Sequence, residues 1–413
     1  MGLESLADRL RSQDAGERRR AAEALAAVGA PAAACLREAL LDPDPRVRSE
    51  AVDALGELRD PESLAPLRGL LNDPDSWVRQ RAARALGNRG DAEAVPALCR
   101  ALRDDAEGVR HHAAEALGEI GDPEAAWPLC EALARDPDEV SDAVPASLAS
   151  LGRPAVEGLL EVLRGPAPAA RCRAARVLGA IGDRKAVPAL SQALLDPDPG
   201  VRLAAVEGLG GIPDRRAVPA LCILLQDPSS DLARRAAQSL AQLRDVACVP
   251  PLCVAAAGRR DPAAQASREA LLSFGHEAIV PLCTMLRVPD EATRRAAVDL
   301  LVSIAREDPA PELRHAVPTL RRLALGPGGS DDPAFLDAVE LIEQVTESLG
   351  DLPMPASAPD EAPEDLPIAS QAPAHEAARR PMATPTCSTP APPREARWLS
   401  PLRRLLRGRG SGP

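Results

Sequence analysis

Leucine recurs along this chain at intervals of 30 or 31 residues, and other apolar residues group around each leucine at helical spacing. A strict repeat of this length is typical of a solenoid, in which each unit packs mainly on its two neighbours. The pattern therefore predicts stacked repeats over residues 1–350 instead of one globular core. These leucines, here called the ladder leucines, are Leu25, Leu55, Leu86, Leu117, Leu148, Leu178, Leu209, Leu240, Leu271 and Leu301.

Residues 94–121 show how one repeat becomes two helices. The apolar residues of 95–102 recur at i, i+3, i+4 and i+7, which predicts a first helix with one apolar stripe. A second such group, in residues 109–120, is followed by Gly121, and glycine readily adopts the left-handed conformation that closes a helix. We call the first helix of each repeat the A helix and the second the B helix. Asp122 and Pro123 are predicted to begin the next A helix as N-cap and first residue.

The turn between the A and B helices has a signature of its own. It reads Asp42-Pro-Asp-Pro-Arg-Val-Arg48, Asp73-Pro-Asp-Ser-Trp-Val-Arg79 and Asp196-Pro-Asp-Pro-Gly-Val-Arg202. In these segments the chain resembles the HEAT-repeat family, specifically the short HEAT-like repeats of phycobilisome-lyase-type proteins. The resemblance implies an all-α fold, an α-solenoid of about eleven HEAT-like helical hairpins. It leaves function open, because the family includes adaptors, chromophore lyase subunits and a few enzymes.

An arginine lies seven residues before the ladder leucine in seven of the ten repeats, at Arg18, Arg48, Arg79, Arg110, Arg171, Arg202 and Arg294. In the family, this turn arginine and the turn aspartate bridge neighbouring repeats. The resemblance thus implies structural roles for Asp42, Asp73, Asp104, Asp196 and Asp227.

The fifth repeat departs from the pattern. Ser141 replaces its turn arginine, and Pro145 is predicted about two turns inside the B helix. A proline at that depth removes a backbone hydrogen bond, so a kink is expected there.

The C-terminal part has a different composition. Residues 351–396 are rich in proline without apolar periodicity, which predicts a disordered linker. Residues 397–413 form a basic amphipathic segment that is predicted to dock on a partner or weakly on an anionic membrane. The alternative is an arginine-rich end without a binding role. The residues expected to dock share one side of the segment and are Trp398, Leu402, Leu405 and Leu406.

Composition narrows the function classes. A net charge of -12 argues against general nucleic-acid binding, which needs a clustered basic face. The first residues carry no basic and apolar leader, and no stretch has the roughly 18 apolar residues of a membrane span, so a cytoplasmic location is expected. Five cysteines share one position of the A helix, and no CxxC pair occurs. They are predicted to be buried thiols in a reducing compartment, without a cofactor.

Enzymatic alternatives can be weighed residue by residue. HEAT-like deoxyhypusine hydroxylases bind two irons through several His-Glu pairs, whereas this solenoid offers His276-Glu277. His111 and His112 are adjacent and are expected to diverge by about 100° on a helix, too far to share a metal ion. HEAT-like DNA glycosylases use a basic surface with aromatic residues, whereas this chain is acidic and poor in aromatics. The sequence therefore predicts no catalytic residue and no metal site.

What remains is a binding surface on the B helices, which are expected to line the concave side of the solenoid. Its outward positions lie six, five and two residues before each ladder leucine. We predict a non-catalytic scaffold or adaptor that binds a protein client, with an acidic segment of the client meeting the arginines. Two alternatives are ordinary solvated arginines and a lyase-like subunit that helps attach or remove a prosthetic group on a client. The candidate partner-binding residues are Arg81, Arg84, His111, His112, Arg173, Arg176, Leu203, Arg234 and Arg235.

Overall fold

The computed structural model describes residues 2–135, 142–258, 261–325 and 334–348. The linker predicted over 351–396 and the docking segment predicted over 397–413, with Trp398, lie outside the described residues. The chain divides after Phe274 into two compact units, here the N-terminal and the C-terminal unit. Within the described residues the regular elements are all helical.

In the N-terminal unit, helices with odd numbers are A helices and those with even numbers are B helices. In chain order they are α1 (Leu3–Arg9), α2 (Ala15–Val28), α3 (Ala33–Ala39), α4 (Pro45–Leu58), α5 (Leu64–Gly69), α6 (Ser76–Arg89), α7 (Val95–Ala101), α8 (Glu107–Ile120), α9 (Ala126–Ala134), α10 (Ala143–Leu151), α11 (Val156–Leu163), α12 (Pro168–Ile181), α13 (Val187–Ala193), α14 (Pro199–Gly210), α15 (Val218–Leu224), α16 (Ser230–Leu243), α17 (Val249–Ala256) and α18 (Pro262–Ser273).

The C-terminal unit continues the same alternation. Its helices are α19 (Ile279–Met285), α20 (Glu291–Glu307), α21 (Val317–Leu325) and α22 (Ala334–Ser348). The last B helix therefore begins beyond the glycine-rich stretch of residues 326–333, which is not among the described residues. The paired helices confirm the predicted α-solenoid of helical hairpins.

Local sequence signals explain where the helices begin and end. The side chain of Asp75 accepts hydrogen bonds from the backbone N–H groups of Trp77 and Val78 and so caps α6. At the other end of α8, Gly121 has a φ of 74°, which is unstrained only for glycine. The A helices differ slightly from prediction, because a short 3₁₀ turn precedes the α-helical segment in every A helix after α1. Asp122, for example, caps the turn Pro123–Ala125, and α9 begins after it.

The core consists of the ladder leucines and many alanines. All ten ladder leucines have a relative exposure of 0%. Each fully buried leucine contributes roughly 1.5–3 kcal/mol of apolar transfer free energy. Alanine neighbours such as Ala113 and Ala116 keep the helices close, and among the described residues the buried aromatic side chains are those of Phe274 and Phe335.

Within the N-terminal unit each B helix packs on the B helices before and after it, and these contacts are more extensive than those between A helices. Helices α12 and α14 approach each other through glycines. A Cβ atom at Gly208 would lie 2.6 Å from the carbonyl oxygen of Ala175, and one at Gly179 would lie 2.4 Å from the Cα of Gly208. Only glycine fits at these two positions without moving the backbone.

Among the described residues, four of the turn arginines bridge neighbouring repeats, as the resemblance implied. Arg48 donates from Nε and Nη2 to both carboxylate oxygens of Asp73, over 2.8 and 2.7 Å, and its Nη1 donates to the carbonyl oxygen of Asp42. Asp73 also accepts from the backbone N–H of Asp75 and thereby fixes its own turn. The same two-pronged bridge joins Arg18 to Asp42, Arg79 to Asp104 and Arg171 to Asp196. At Asp227, Oδ1 accepts from the backbone N–H of Ser229.

The kink predicted at Pro145 is wrong. Helix α10 begins at Ala143 and has nine residues, whereas α8 and α12 have 14 each. Pro145 is therefore the third residue of α10, in the first turn, where a missing N–H removes no intrahelical hydrogen bond. The lost hydrogen bond from which the kink was predicted therefore does not occur in α10.

Candidate functional site

The outward arginines of α6 pair with an acid on the preceding B helix. Arg81 forms an ion pair with Asp53 on α4, and Nη2 of Arg84 lies 2.8 Å from Oδ1 of the same carboxylate. The Arg81 guanidinium also stacks on the ring of Trp77, 5.0 Å from its centroid. We call Arg81, Arg84 and Asp53 the first arginine cluster. Two guanidinium groups share one carboxylate here, so the cluster keeps an excess of positive charge.

A similar arrangement recurs beyond the next two B helices, α8 and α10. Glu207 on α14 lies between Arg176 on α12 and Arg235 on α16, with N–O distances of 3.4 and 3.6 Å. These three residues are the second arginine cluster. Arg176 is 61% exposed and Arg235 is 40% exposed, so water and a partner can reach both side chains. The cluster spans three consecutive B helices.

The other predicted residues of the surface are less uniform. Arg173 on α12 and Leu203 on α14 are half-buried. Arg234 pairs with Asp231 one turn earlier in its own helix, over 2.5 Å. At four predicted outward positions the residue is a buried alanine, whereas the alanine at a fifth, Ala146, is exposed. The buried ones are Ala143, Ala204, Ala266 and Ala296.

Sequence reasoning did not single out Asp53 and Glu207, although both occupy the outward position two residues before a ladder leucine. Each lies 31 residues from an arginine at the same position of the adjacent repeat, since Asp53 faces Arg84 and Glu207 faces Arg176. Opposite charges one repeat apart at equivalent positions were the signal that could have revealed both pairs.

The angle of about 100° between His111 and His112 on α8 does not keep their ring nitrogens apart, contrary to the prediction that the two are too far apart to share a metal ion. Their rings meet edge to face with centroids 5.2 Å apart, and both bend towards Glu115. Nδ1 of His112 lies 3.0 Å from Oε2 of Glu115, and Nε2 of His111 lies 3.9 Å from the same oxygen. One ligand atom from each of the three residues falls within a common span of 4.8 Å. Side-chain torsions thus compensate for the angle between the two Cα–Cβ bonds.

The cysteines have unreactive surroundings. No disulfide joins the described cysteines; Cys130 and Cys253 are buried, and Cys99, Cys222 and Cys283 are half-buried. Burial raises the pKa of the Cys130 thiol to about 12 and that of Cys99 to about 11, the latter with help from nearby carboxylates. These thiols are protonated at neutral pH and are poor metal ligands and nucleophiles.

The exposed tryptophan Trp127 belongs to the A-helix side. It is 57% exposed and forms one wall of a shallow apolar groove between α9 and α11, whose floor includes Cys130 and Gly158. Gly158 leaves this space open, because a Cβ there would lie 2.7 Å from the Cys130 sulfur.

The repeats of this chain match the profiles of known families. The family profile of HEAT repeats matches residues 3–80, 69–149 and 156–241, together more than half of the chain. The chain belongs to the HEAT-repeat family. The profile of the PBS lyase HEAT-like repeat matches residues 232–257. No curated protein shows significant sequence similarity to the chain.

Solved structures share the solenoid fold. One is Kap121p bound to the extreme C-terminus of the protein phosphatase Cdc14p, with a TM-score of 0.56 and 14% identity over 83% of this chain and 45% of that chain. Another is Kap95p with RanGDP, with a TM-score of 0.54 and 16% identity over 84% of this chain and 57% of that chain. The chain thus spans about half the length of these karyopherins.

A third similar structure is the CpcE–CpcF complex of phycocyanin lyase from Nostoc sp. PCC7120. It has a TM-score of 0.33 and 27% identity over 59% of this chain and 95% of that chain. Among the residues that the structure describes, no helix combines the length and the apolar content that crossing a bilayer requires.

Proposed function

We propose that the protein is a non-catalytic scaffold that binds an acidic segment of a protein client on the B helices of its N-terminal unit. The observation that carries this proposal is the second arginine cluster. Arg176 and Arg235 share Glu207, so an incoming carboxylate can replace the shared one on either guanidinium group. Arginine is suited to this exchange because its planar donors bind carboxylates in pairs.

The first arginine cluster extends the proposed surface. Arg84 is half-exposed beside Asp53, and Arg81 presents its stacked guanidinium next to Trp77. Tryptophan and arginine are the residues that most often dominate protein interfaces. The comparisons support this type of function, since Kap121p and Kap95p hold protein partners on the same fold.

The test compares two double variants of equal charge change. Arg176→Glu/Arg235→Glu reverses the second arginine cluster. Arg153→Glu/Arg215→Glu is the matched control, because these arginines lie in the turns that lead into A helices, are 90% and 91% exposed, and also lie near aspartates. Each chain is immobilised and then incubated with lysate of the source cells. The proteins that it retains are identified by mass spectrometry. We expect a client that the wild type and the control retain and the cluster variant loses.

Two further observations decide the outcome. The retained client should dissociate as salt rises, because exposed charge pairs are screened over about 8 Å at physiological ionic strength. Circular dichroism should show equal helicity for the three chains. Equal retention of the client by all three folded chains would contradict the arginine clusters as the binding site.

A second candidate is the predicted lyase-like role, in which the solenoid helps attach or remove a prosthetic group on its client. The match of residues 232–257 to the PBS lyase HEAT-like repeat favours it. A coloured or metal-bearing client in the same capture experiment would support this role, and a colourless client would support the scaffold. The docking role of Trp398, Leu402, Leu405 and Leu406 stays a separate prediction, tested by deleting residues 394–413.

A further inference from the structure

The outward surface of α8 differs in chemistry from the surfaces of its neighbours. At the positions that hold Gln80, Arg81 and Arg84 in α6, it carries His111, His112 and Glu115. On a helix with about 100° per residue, Glu115 falls at about 40° from His111, between the two histidines and one turn further on. This placement explains why one carboxylate reaches both rings. The sequence spacing His-His-x-x-Glu thus produces three convergent donor groups on a single helix.

The distances suit a small transition-metal ion. The donor atoms are separated by 3.0 and 3.9 Å from the Glu115 oxygen, and the whole set lies within 4.8 Å. Tetrahedral zinc with bonds of about 2.0–2.1 Å holds its donors about 3.3 Å apart. The two His–Glu distances already bracket this value. The largest distance between two of the three ligand atoms can be shortened by torsional changes in the side chains. These side chains are half-buried or exposed and can therefore move.

The electrostatic surroundings favour a cation. Glu119 lies one turn beyond Glu115, and its pKa is raised by burial and by the charge of Glu115, while His112 acts in the opposite direction. A bound cation would relieve the repulsion between these two carboxylates. Arg81 and Arg84 on α6 are directed towards Asp53 on the preceding helix. On the other side, the positions of α10 equivalent to His112 and Glu115 are Ala143 and Ala146, which carry no charge.

We propose that His111, His112 and Glu115 bind one Zn²⁺ ion on the outward surface of α8. Two imidazole nitrogens and one carboxylate are a zinc ligand set, and imidazole discriminates against Mg²⁺ and Ca²⁺, which prefer oxygen ligands. Three protein ligands leave the fourth tetrahedral position to water. The site needs no client and is independent of the proposed scaffold function.

The experiment titrates the full chain with Zn²⁺ by calorimetry. We compare the wild type with His111→Ala/His112→Ala and with Glu115→Gln. The matched control is His276→Ala/His315→Ala, which removes two exposed histidines of the C-terminal unit. We expect one zinc ion per wild-type chain and the same affinity in the control. Each site variant should bind at least about tenfold more weakly, because losing an outer-shell partner of a zinc ligand already costs about 10–100-fold.

Titration with Co²⁺ identifies the ligands by absorption. Binding through nitrogen and oxygen gives visible d–d bands alone, which supports the site, whereas thiolate ligands add intense charge-transfer bands in the near ultraviolet. Such charge-transfer bands at one equivalent would overturn the proposal in favour of a cysteine site. Equal zinc affinity in the wild type and the double histidine variant, or no binding by the wild type at micromolar zinc, would also overturn it. Thermal melts without metal verify that all four chains are folded.

Discussion

Two arginines of one B helix, α6, have different surroundings and different roles. Arg79 lies at the start of α6, donates to both oxygens of Asp104 and to two backbone carbonyls, and is 16% exposed. Arg84, on the same helix, makes a single contact of 2.8 Å with Asp53 and is 50% exposed. Charge alone therefore says little about an arginine in a solenoid. Enclosure and the number of directed hydrogen bonds distinguish a structural arginine from one that can meet a partner.

The largest expected effect is the loss of stability when a ladder leucine is shortened, and the effects of the arginine variants are compared with it. Leu117→Ala removes a fully buried side chain from the centre of the stack. We expect a loss of roughly 2–5 kcal/mol in the free energy of unfolding, because the cavity adds to the lost transfer free energy. Urea denaturation followed by circular dichroism measures it. A loss below that of Arg84→Ala would show that the core is assigned incorrectly.

The second prediction tests the comparison directly. Arg79→Ala should lower the free energy of unfolding by about 2 kcal/mol, because Asp104 and two backbone carbonyls lose their donor. Arg84→Ala should cost less than about 0.5 kcal/mol, since an exposed single ion pair contributes little. The same urea denaturation ranks the two variants. Equal losses would mean that the two arginines do not differ in role.

A smaller effect concerns pH. Burial alone would raise the pKa of Asp104, but hydrogen bonds from Arg79 and from the backbone N–H of Ala106 outweigh it and hold the pKa below its usual value. This carboxylate therefore stabilises the folded chain above about pH 4, its unfolded pKa, and the contribution is lost as the pH falls through the folded pKa. Asp104→Asn should be less stable than the wild type at pH 7, and the difference should shrink towards pH 3.

The control for this prediction is the exposed neighbour Asp105. Stability measured by urea denaturation at several pH values should follow the wild-type profile in Asp105→Asn. A constant difference between Asp104→Asn and the wild type from pH 7 to pH 3 would contradict the proposed origin of the pKa shift.

The fold could be predicted from the sequence because the same helix signals recur in many repeats, so a weak signal in one repeat is supported by the others. Ladder leucines, proline in first turns and closing glycines such as Gly121 all indicate the same hairpin, and the structure confirms it. Pro145 was misplaced because the start of α10 was inferred from the period, whereas this repeat has a shorter B helix. A single irregular repeat lacks the redundancy that located the others.

The candidate site was less predictable because side-chain torsions and partners across repeats decide it. The sequence marked Arg176 and Arg235 as outward but did not show that Glu207 lies between them. It gave the angle between His111 and His112 on the helix but not the bend of both rings towards Glu115. The repeat period indicates which residues share a face of a helix, whereas the folded structure determines which atoms are in contact.

The contact between Gly179 and Gly208 has a mechanical consequence. Because α12 and α14 touch through their backbones there, the stack resists compression at this junction more than where side chains separate the helices. Elastic bending of the N-terminal unit must then be taken up at softer junctions between other repeats. Arg176 and Glu207 lie on these same two helices, so the backbones that carry these two residues of the second arginine cluster keep a nearly constant separation under load. A partner bound there would contact two helices whose separation is fixed by their backbone contact, while other junctions of the unit can bend.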